Sequence, residues 1–463
     1  MRYFASLDFW DFEPIAAKNR SQKSIYLSNE ASYASSNLFE DHLDIFENGT
    51  TKGENMQKFN KATLLVATAV ASLVLAGCSG GGTASGPLKI GSLLPETGSL
   101  AFLGPPEFAG VDLAVADINA AGGVLGQDIE HIRGDSGDTS TDIAQQTADS
   151  HIAAGVSAIV GAASSGVSFT VIDKIAGAGI VHFSPANTSP DFTNYADDGY
   201  YFRSAPSDTF QGAVLGQLMA KEGAKNVVIL NLDDAYGNGL AKYAMAAFTG
   251  TSTNIVYNPQ ASDFSADVAK AKAAKPDAIA IIGFDETVKI FTELIKQGIG
   301  PNKIKTYLVD GNLSSGAYKD LPAGIMKGVK GTLPGVLAGG DLQTRLLGVD
   351  PNLTDYSYAA ESYDAVILIA LAAEQGGATD GKTIRDNLES VSKDGTKCTT
   401  FADCKALIAE GTDIDYDGIS GPIEFDKNGD PSIATMGVYL YTANDVSEAV
   451  LEEFITGDVP AAE

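Results

Sequence analysis

Cysteine is nearly absent: the 463 residues contain three. No C-x-x-C pair occurs, the four histidines are scattered, and no H-E-x-x-H is present, which removes the common zinc sites. No G-x-S-x-G elbow, Walker loop or G-x-G-x-x-G fingerprint appears either, so the enzyme classes that announce themselves by such motifs are excluded. Positive charge is also short. Lys and Arg number 31 against 59 Asp and Glu, and from Cys78 onward the balance is 24 against 50. A chain this acidic does not track a phosphate backbone or an anionic membrane surface. Tryptophan occurs once, at Trp10, and His131, His151 and His182 are the only histidines after Cys78. With no nucleophile or metal motif beside them, these histidines read as core or surface residues.

Long apolar runs are limited to one. Residues 1–55 show no sustained period and end in polar N-G-T-T-K-G-E-N. Met56 then opens a second start, with Lys58 and Lys61 before the apolar Ala62–Leu75 and L-A-G-C at Leu75–Cys78. This is the layout of a secretory signal peptide over 56–77, and the run is shorter than the roughly 20 residues a membrane span needs. The L-A-G-C end resembles the lipobox of bacterial lipoproteins, which implies cleavage before Cys78 and a lipid on its sulfur. Residues 1–55 then read as a mis-called upstream extension, and 78–87 as the lipidated cysteine with a Gly/Ser tether. The expected location is extracytoplasmic, with membrane contact through the lipid alone.

The remainder is long enough for two cores. Short β-branched runs alternate with helical periods. Strands are predicted at 88–94, 129–132, 157–160, 180–183, 227–232, 254–257, 278–283 and 306–310, with helices between them and a long apolar helix over Tyr358–Gln375. That alternation predicts α/β architecture with parallel sheets covered on both faces. One sheet of this length would be unusually wide, so two smaller sheets facing each other are expected, with a ligand between them.

Two stretches organise the chain: G-A-A-S-S-G at Gly161–Gly166 and F-S-P-A-N-T-S-P at Phe183–Pro190. Each follows a short strand, so each is a loop leaving a strand's carboxyl end, where open α/β sheets bind ligands. Small residues let a ligand approach the backbone, and Ser164, Ser165 and Thr188 supply hydroxyls suited to an anion. Taken singly, both loops also fit ordinary strand-to-helix turns. Polar or aromatic punctuation recurs at later strand ends, at Asp233–Gly237, Phe284–Asp285 and Asp310–Asn312.

Cys398 and Cys404 are close in sequence, and in an exported chain they are expected to form a disulfide. D-I-D-Y-D-G-I-S-G-P-I-E, Asp413–Glu424, fits a calcium-loop spacing through Asp413, Asp415, Asp417 and Glu424. Its outgoing side reads as a strand and not as the required helix. It is therefore taken as an acidic turn, and no metal is expected.

Several strings in order resemble one family. They are L-K-I-G-S-L-L-P-E-T-G-S-L-A from Leu88, G-V-D-L-A-V-A-D-I-N-A-A-G-G-V-L-G from Gly110, I-V-G-A-A-S-S-G-V, H-F-S-P-A-N-T-S-P, F-R-S-A-P-S-D-T-F-Q-G from Phe202 and D-D-A-Y-G-N-G-L-A from Asp233. The chain resembles the Leu/Ile/Val-binding, type I periplasmic binding proteins of ABC importers. The resemblance implies two doubly wound parallel-sheet lobes joined by a three-crossing hinge that closes on the ligand. The first lobe would be 88–206 plus 334–421, the second 207–333 plus 422–455, with 456–463 a tail. Ser165, Ala186 and Thr188 would hold an amino acid's carboxylate, Asp310 its ammonium, and Tyr236 would close over it. Phe284 stands where the family often has Tyr, and Phe102 precedes Leu103 at the position of another aromatic contact. These residues, with Ser164, form the expected site. The resemblance implies no catalysis and no cofactor, with an amino acid as ligand and a membrane permease as partner. Urea, short amides and aromatic acids are the other ligands considered, and a ligand-sensing domain the other role.

Overall fold

Parallel strands need helical crossovers, and right-handed crossovers place helices on both faces of a sheet. The computed structural model describes residues 86–313, 317–335, 339–443 and 449–462. The upstream extension, the leader, Cys78 and the tether to residue 85 lie outside the described residues.

The first sheet is built from β1 (Lys89–Leu94), α1 (Gly104–Ala120), β2 (Glu130–Asp135), α2 (Ile143–Ala154), β3 (Ala158–Gly161), α3 (Ser165–Gly177), β4 (Val181–Ser184) and β5 (Tyr201–Arg203). Its order is β2-β1-β3-β4-β5, parallel throughout. The chain then crosses to α4 (Asp208–Lys221), β6 (Asn226–Leu232), α5 (Ala235–Ala247), β7 (Thr251–Tyr257), α6 (Ser265–Ala273), β8 (Ala278–Ile282), α7 (Thr287–Lys296), β9 (Lys305–Val309) and β10 (Lys330–Pro334). It returns through α8 (Gly340–Val349), α9 (Ala359–Gly376), α10 (Gly381–Leu388), β11 (Thr396–Cys398), α11 (Phe401–Ala409), β12 (Ile414–Gly418) and β13 (Gly421–Pro422). A third crossing leads to β14 (Ile433–Tyr441) and β15 (Ala449–Asp458). The second sheet runs β15-β14-β10-β9-β8-β6-β7. Within it β7-β6-β8-β9-β10 repeats the strand order of the first sheet. Each sheet therefore has a switch point, at β1/β3 and at β6/β8, and the loops beyond the strand ends there form a crevice.

Burial explains which runs became central strands. β3, β4 and β8 are buried along their whole length, as expected of strands covered on both faces. α9 is buried from Ala359 to Ala373 and packs against α1 at the centre of the first core. α4 and α5 approach closely because Gly212 and Gly216 leave room: a Cβ there would lie 2.6 Å from Tyr243 Cβ and 2.5 Å from Ala244 O. Ser164 caps α3 by accepting from Val167 N–H, and Asp234 caps α5 by accepting from Gly237 N–H.

Most predicted elements form within a few residues of their expected bounds. The antiparallel pair β14–β15 is absent from the sequence reading, and β15 takes in residues 456–458, which were expected as tail. Its paired face and its exposed face alternate along the strand, which is antiparallel-edge behaviour. Ile423 and Phe425 belong to the first core, where Phe425 meets the rings of Phe183 and Phe202. The last crossing therefore lies beyond Phe425, later than the expected boundary at 421/422.

Cys398, ending β11, and Cys404, in α11, are joined as a disulfide with Cα atoms 5.4 Å apart. The calcium-loop match is a strand pair instead. Asp415 and Asp417 share one face of β12, and with Glu424 they surround the Lys397 ammonium at 2.9, 2.9 and 3.8 Å. Asp413 only lends its carbonyl to Thr396 N–H. The lysine supplies the positive charge that the acidic spacing calls for.

Candidate functional site

The loop after β4 is rigid because its own polar groups hold it. Ser184 Oγ donates to Ala162 O at 2.7 Å and accepts from Ala186 and Asn187 N–H. Asn187 Nδ2 donates to Ala162 O and Ala163 O, tying this loop to the one after β3. Ser165, the first residue of α3, is buried, and its Oγ accepts from Ser189 N–H at 3.2 Å. Gly161 allows this turn: its φ is +127°, and a Cβ would lie 1.9 Å from Leu93 O.

Asp310 opens a 3-10 turn after β9 and is 5% exposed. Its Oδ1 accepts from Gln211 Nε2 at 2.9 Å and Tyr236 OH at 2.8 Å, and its Oδ2 from Tyr358 OH at 2.7 Å. Burial raises its pKa, and these hydrogen bonds oppose the rise. Tyr236 stacks on Phe284, with centroids 5.5 Å apart and planes 12° off parallel.

These groups meet in one narrow pocket, lined by Leu100, Leu103, Ala163, Ser164, Ser165, Ala186, Tyr236, Phe284, Asp310, Gly311 and Tyr358. Both lobes contribute, each with residues from its strand ends. Of the residues singled out from the sequence, Phe102 and Thr188 do not line it. Phe102 is half-buried beside the second core. Thr188 Oγ1 donates to Asp208 Oδ2 at 3.0 Å.

Three participants escaped the sequence reading. Tyr358 caps the long helix with φ +60°, unusual for a tyrosine, and so carries a first-lobe hydroxyl to Asp310. Gln211 and Asp208 lie three apart on the first turn of α4, inside the string F-R-S-A-P-S-D-T-F-Q-G. Their helical spacing was the available signal. Asp208 is fully buried, and its Oδ1 and Gln211 Oε1 have no hydrogen-bond partner among the described residues. Burial, and then the Asp310 charge, push the Asp208 pKa well above the carboxylate range.

One further trio looks catalytic on paper. His131 Nε2 lies 2.9 Å from Ser92 Oγ, and its Nδ1 lies 3.0 Å from Asp112 Oδ1. Ser92 is fully buried inside β1, so no substrate reaches its hydroxyl. Asp112 is also paired with Arg133. The trio is a structural polar bridge.

Residues 87–447 match the family model described as periplasmic binding protein. The chain belongs to the periplasmic binding protein family. It is similar to the chemotactic signal transduction system substrate-binding protein BasB of Halobacterium salinarum, 28% identical over 73% of this chain and 83% of that protein. It is also similar to Leu/Ile/Val-binding protein homolog 2 of Brucella abortus, 27% identical over 76% of this chain and 90% of that one. The structure of LivJ from Streptococcus pneumoniae in complex with isoleucine has the same fold, with a TM-score of 0.65, 24% identity, and coverage of 81% of this chain and 100% of that one.

As a periplasmic binding protein it is an extracytoplasmic solute binder and not an enzyme. The pocket suits that role. It offers the Asp310 carboxyl, the Ser164 and Ser165 hydroxyls and apolar walls, with no nucleophile beside a base among the described residues that line it.

Proposed function

We propose that this protein captures a branched-chain or other aliphatic amino acid between its lobes and delivers it to an ABC permease. The observation that carries the reading is the pairing across one pocket of a buried carboxylate, Asp310, with the Ser165 and Ala186 loops. A zwitterion matches both ends. The carboxylate meets the Ser164 and Ser165 hydroxyls at the start of α3, and the ammonium meets Asp310. Leu100, Leu103, Ala163 and Phe284 form apolar walls against which an aliphatic side chain would pack. Phe284 offers no hydroxyl, so the side chain is selected by shape and burial.

A thermal-shift screen tests this with leucine, leucinamide, 4-methylpentanoate, urea and benzoate. Leucine is expected to raise the melting temperature most, because only it satisfies both ends. A larger shift with benzoate or urea would replace the amino-acid reading by an aromatic-acid or amide binder.

The L-A-G-C stretch supports a lipid anchor at Cys78. Cys78→Ser is expected to move the protein from the membrane fraction to the soluble extracytoplasmic fraction, while expression from Met56 gives normal anchoring. Fractionation with immunoblotting checks this, and an unchanged membrane fraction in the mutant sinks the anchor.

A further inference from the structure

A second, small cleft lies where the three crossings meet, apart from the ligand pocket. Ser204 and Pro206 line it from the first crossing, Gly335 from the second and Pro431 from the third, with Ser420 from the turn between β12 and β13. Into it projects one ionisable side chain, Glu361, from the first turn of α9. Glu361 is 4% exposed. Its Oε1 packs so closely on Gly335, whose φ is +82°, that a Cβ there would lie 1.9 Å away. The Glu361 carbonyl accepts from Ser204 Oγ at 3.0 Å, and Gly335 N–H donates to Thr435 O at 2.8 Å. The carboxyl thus touches the second crossing and is bound through its own backbone to the first.

We propose that the hinge is proton-linked through Glu361: lobe closure seals its carboxyl where the crossings meet, so closure takes up a proton. The inference rests on the hinge and not on the identity of the ligand. The surroundings are acidic on every side that carries a titratable group. Glu107 faces it from α1, fully buried with neither carboxyl oxygen partnered among the described residues. Asp364 lies one turn along α9, its oxygens taken by Tyr416 OH, Ile419 N–H, and Ser420 N–H and Oγ. Tyr439 faces it from β14, and Tyr358 from the helix cap. Asp430 on the third crossing is taken by Arg203, and Glu361 forms no ion pair among the described residues. Burial, with Asp364 adding to it, pushes the Glu361 pKa up to about 8. Opening the crossings admits water and returns it towards the ordinary glutamate range.

The sign follows. An acid whose pKa is higher in the closed form binds more protons there, so closure weakens as pH rises from the ordinary range to about 8 and then levels off. One proton gives at most a tenfold change in affinity per pH unit. The α-ammonium of an amino acid titrates above this window. Tyr358, which reaches Asp310, lies three residues before Glu361, so the hinge carboxyl and the pocket share one helix end.

The test is calorimetric titration of the whole protein with leucine, or with benzoate if leucine does not bind, from pH 5.5 to 8.5 in two buffers of different ionisation enthalpy. The wild type is expected to take up close to one proton more than Glu361→Gln at pH 7, and its affinity to fall about tenfold or more relative to the mutant across the range. Asp208 and Asp310 titrate in both proteins and cancel in the comparison. Glu361→Asp is the second variant. Its shorter carboxyl withdraws from Gly335, so it keeps the uptake but moves it to lower pH. Equal proton uptake in wild type and Glu361→Gln overturns the proposal, as does a Glu361→Asp profile identical to wild type where Glu361→Gln does not fold. A mutant that changes only the melting temperature of the ligand-free protein makes Glu361 a permanently buried core acid and also overturns it.

Discussion

Asp310→Asn is expected to weaken leucine binding by about 2–3 kcal/mol, roughly 30- to 150-fold, at neutral pH. Asp310 accepts from Gln211, Tyr236 and Tyr358, so three donors from both lobes converge on its two oxygens. An amide replaces one acceptor oxygen by a donor facing those donors, and it removes the charge that an ammonium needs. The loss should be selective. 4-Methylpentanoate, which has leucine's side chain and carboxylate but no amine, should bind both proteins alike. Ser165→Ala should do the converse and hurt carboxylate ligands while sparing leucinamide. Calorimetry of both mutants against the three ligands decides the matter. Asp310→Asn binding leucine as tightly as wild type would falsify the amino-acid assignment. The pH dependence has the same origin: burial raises the Asp310 pKa, so ammonium binding is lost on acidification from a pH above the ordinary aspartate range.

The largest stability effect is expected at Asp430. Arg203, at the end of β5, is fully buried, and its Nε and Nη2 reach Asp430 Oδ1 and Oδ2 at 2.6 and 2.9 Å. Nη1 donates to Ser189 O at 2.8 Å and Nη2 to Thr193 Oγ1 at 3.2 Å. Asp430 lies between Phe425 and β14, so this pair clamps the third crossing to the first lobe. Asp430→Ala leaves a guanidinium buried without its counter-charge and should cost about 3–5 kcal/mol. The double replacement Arg203→Met with Asp430→Leu should cost much less, because no charge is then stranded. Urea denaturation of the three proteins measures both effects. A loss under about 1 kcal/mol for Asp430→Ala would show that water reaches the guanidinium and that the pair acts as an exposed one. Because Nη1 also holds Ser189, whose N–H donates to Ser165 Oγ, the single mutant should weaken ligand binding as well.

The fold class, the strand-end loops and several residues that line the pocket were legible in the chain because each depends on local order. Apolar runs of four to seven residues between helical periods form covered parallel strands whatever lies elsewhere, as β3, β4 and β8 do. Ser164, Ser165 and Ala186 stand within a few residues of those strands, so their place at the crevice follows from the strand ends. Other features had no local signature. Tyr358 and Asp310 are 48 residues apart, and Gln211 and Asp310 are 99 apart. Only the meeting of α9 and α4 at one pocket gives Asp310 two of its three donors. The acidic run 413–424 has metal-like spacing, and only the pairing of β11 with β12 brings Lys397 into its centre. The hinge carboxyl is the extreme case. Glu361 reads as an ordinary helix-start glutamate, and its environment exists only where three distant segments cross. Periodicity carries information over one or two turns or strands, whereas desolvation and ion pairing depend on which surfaces meet. The chain therefore determined the elements and the positions of their ends, and the tertiary structure decided which charges are buried and what answers them.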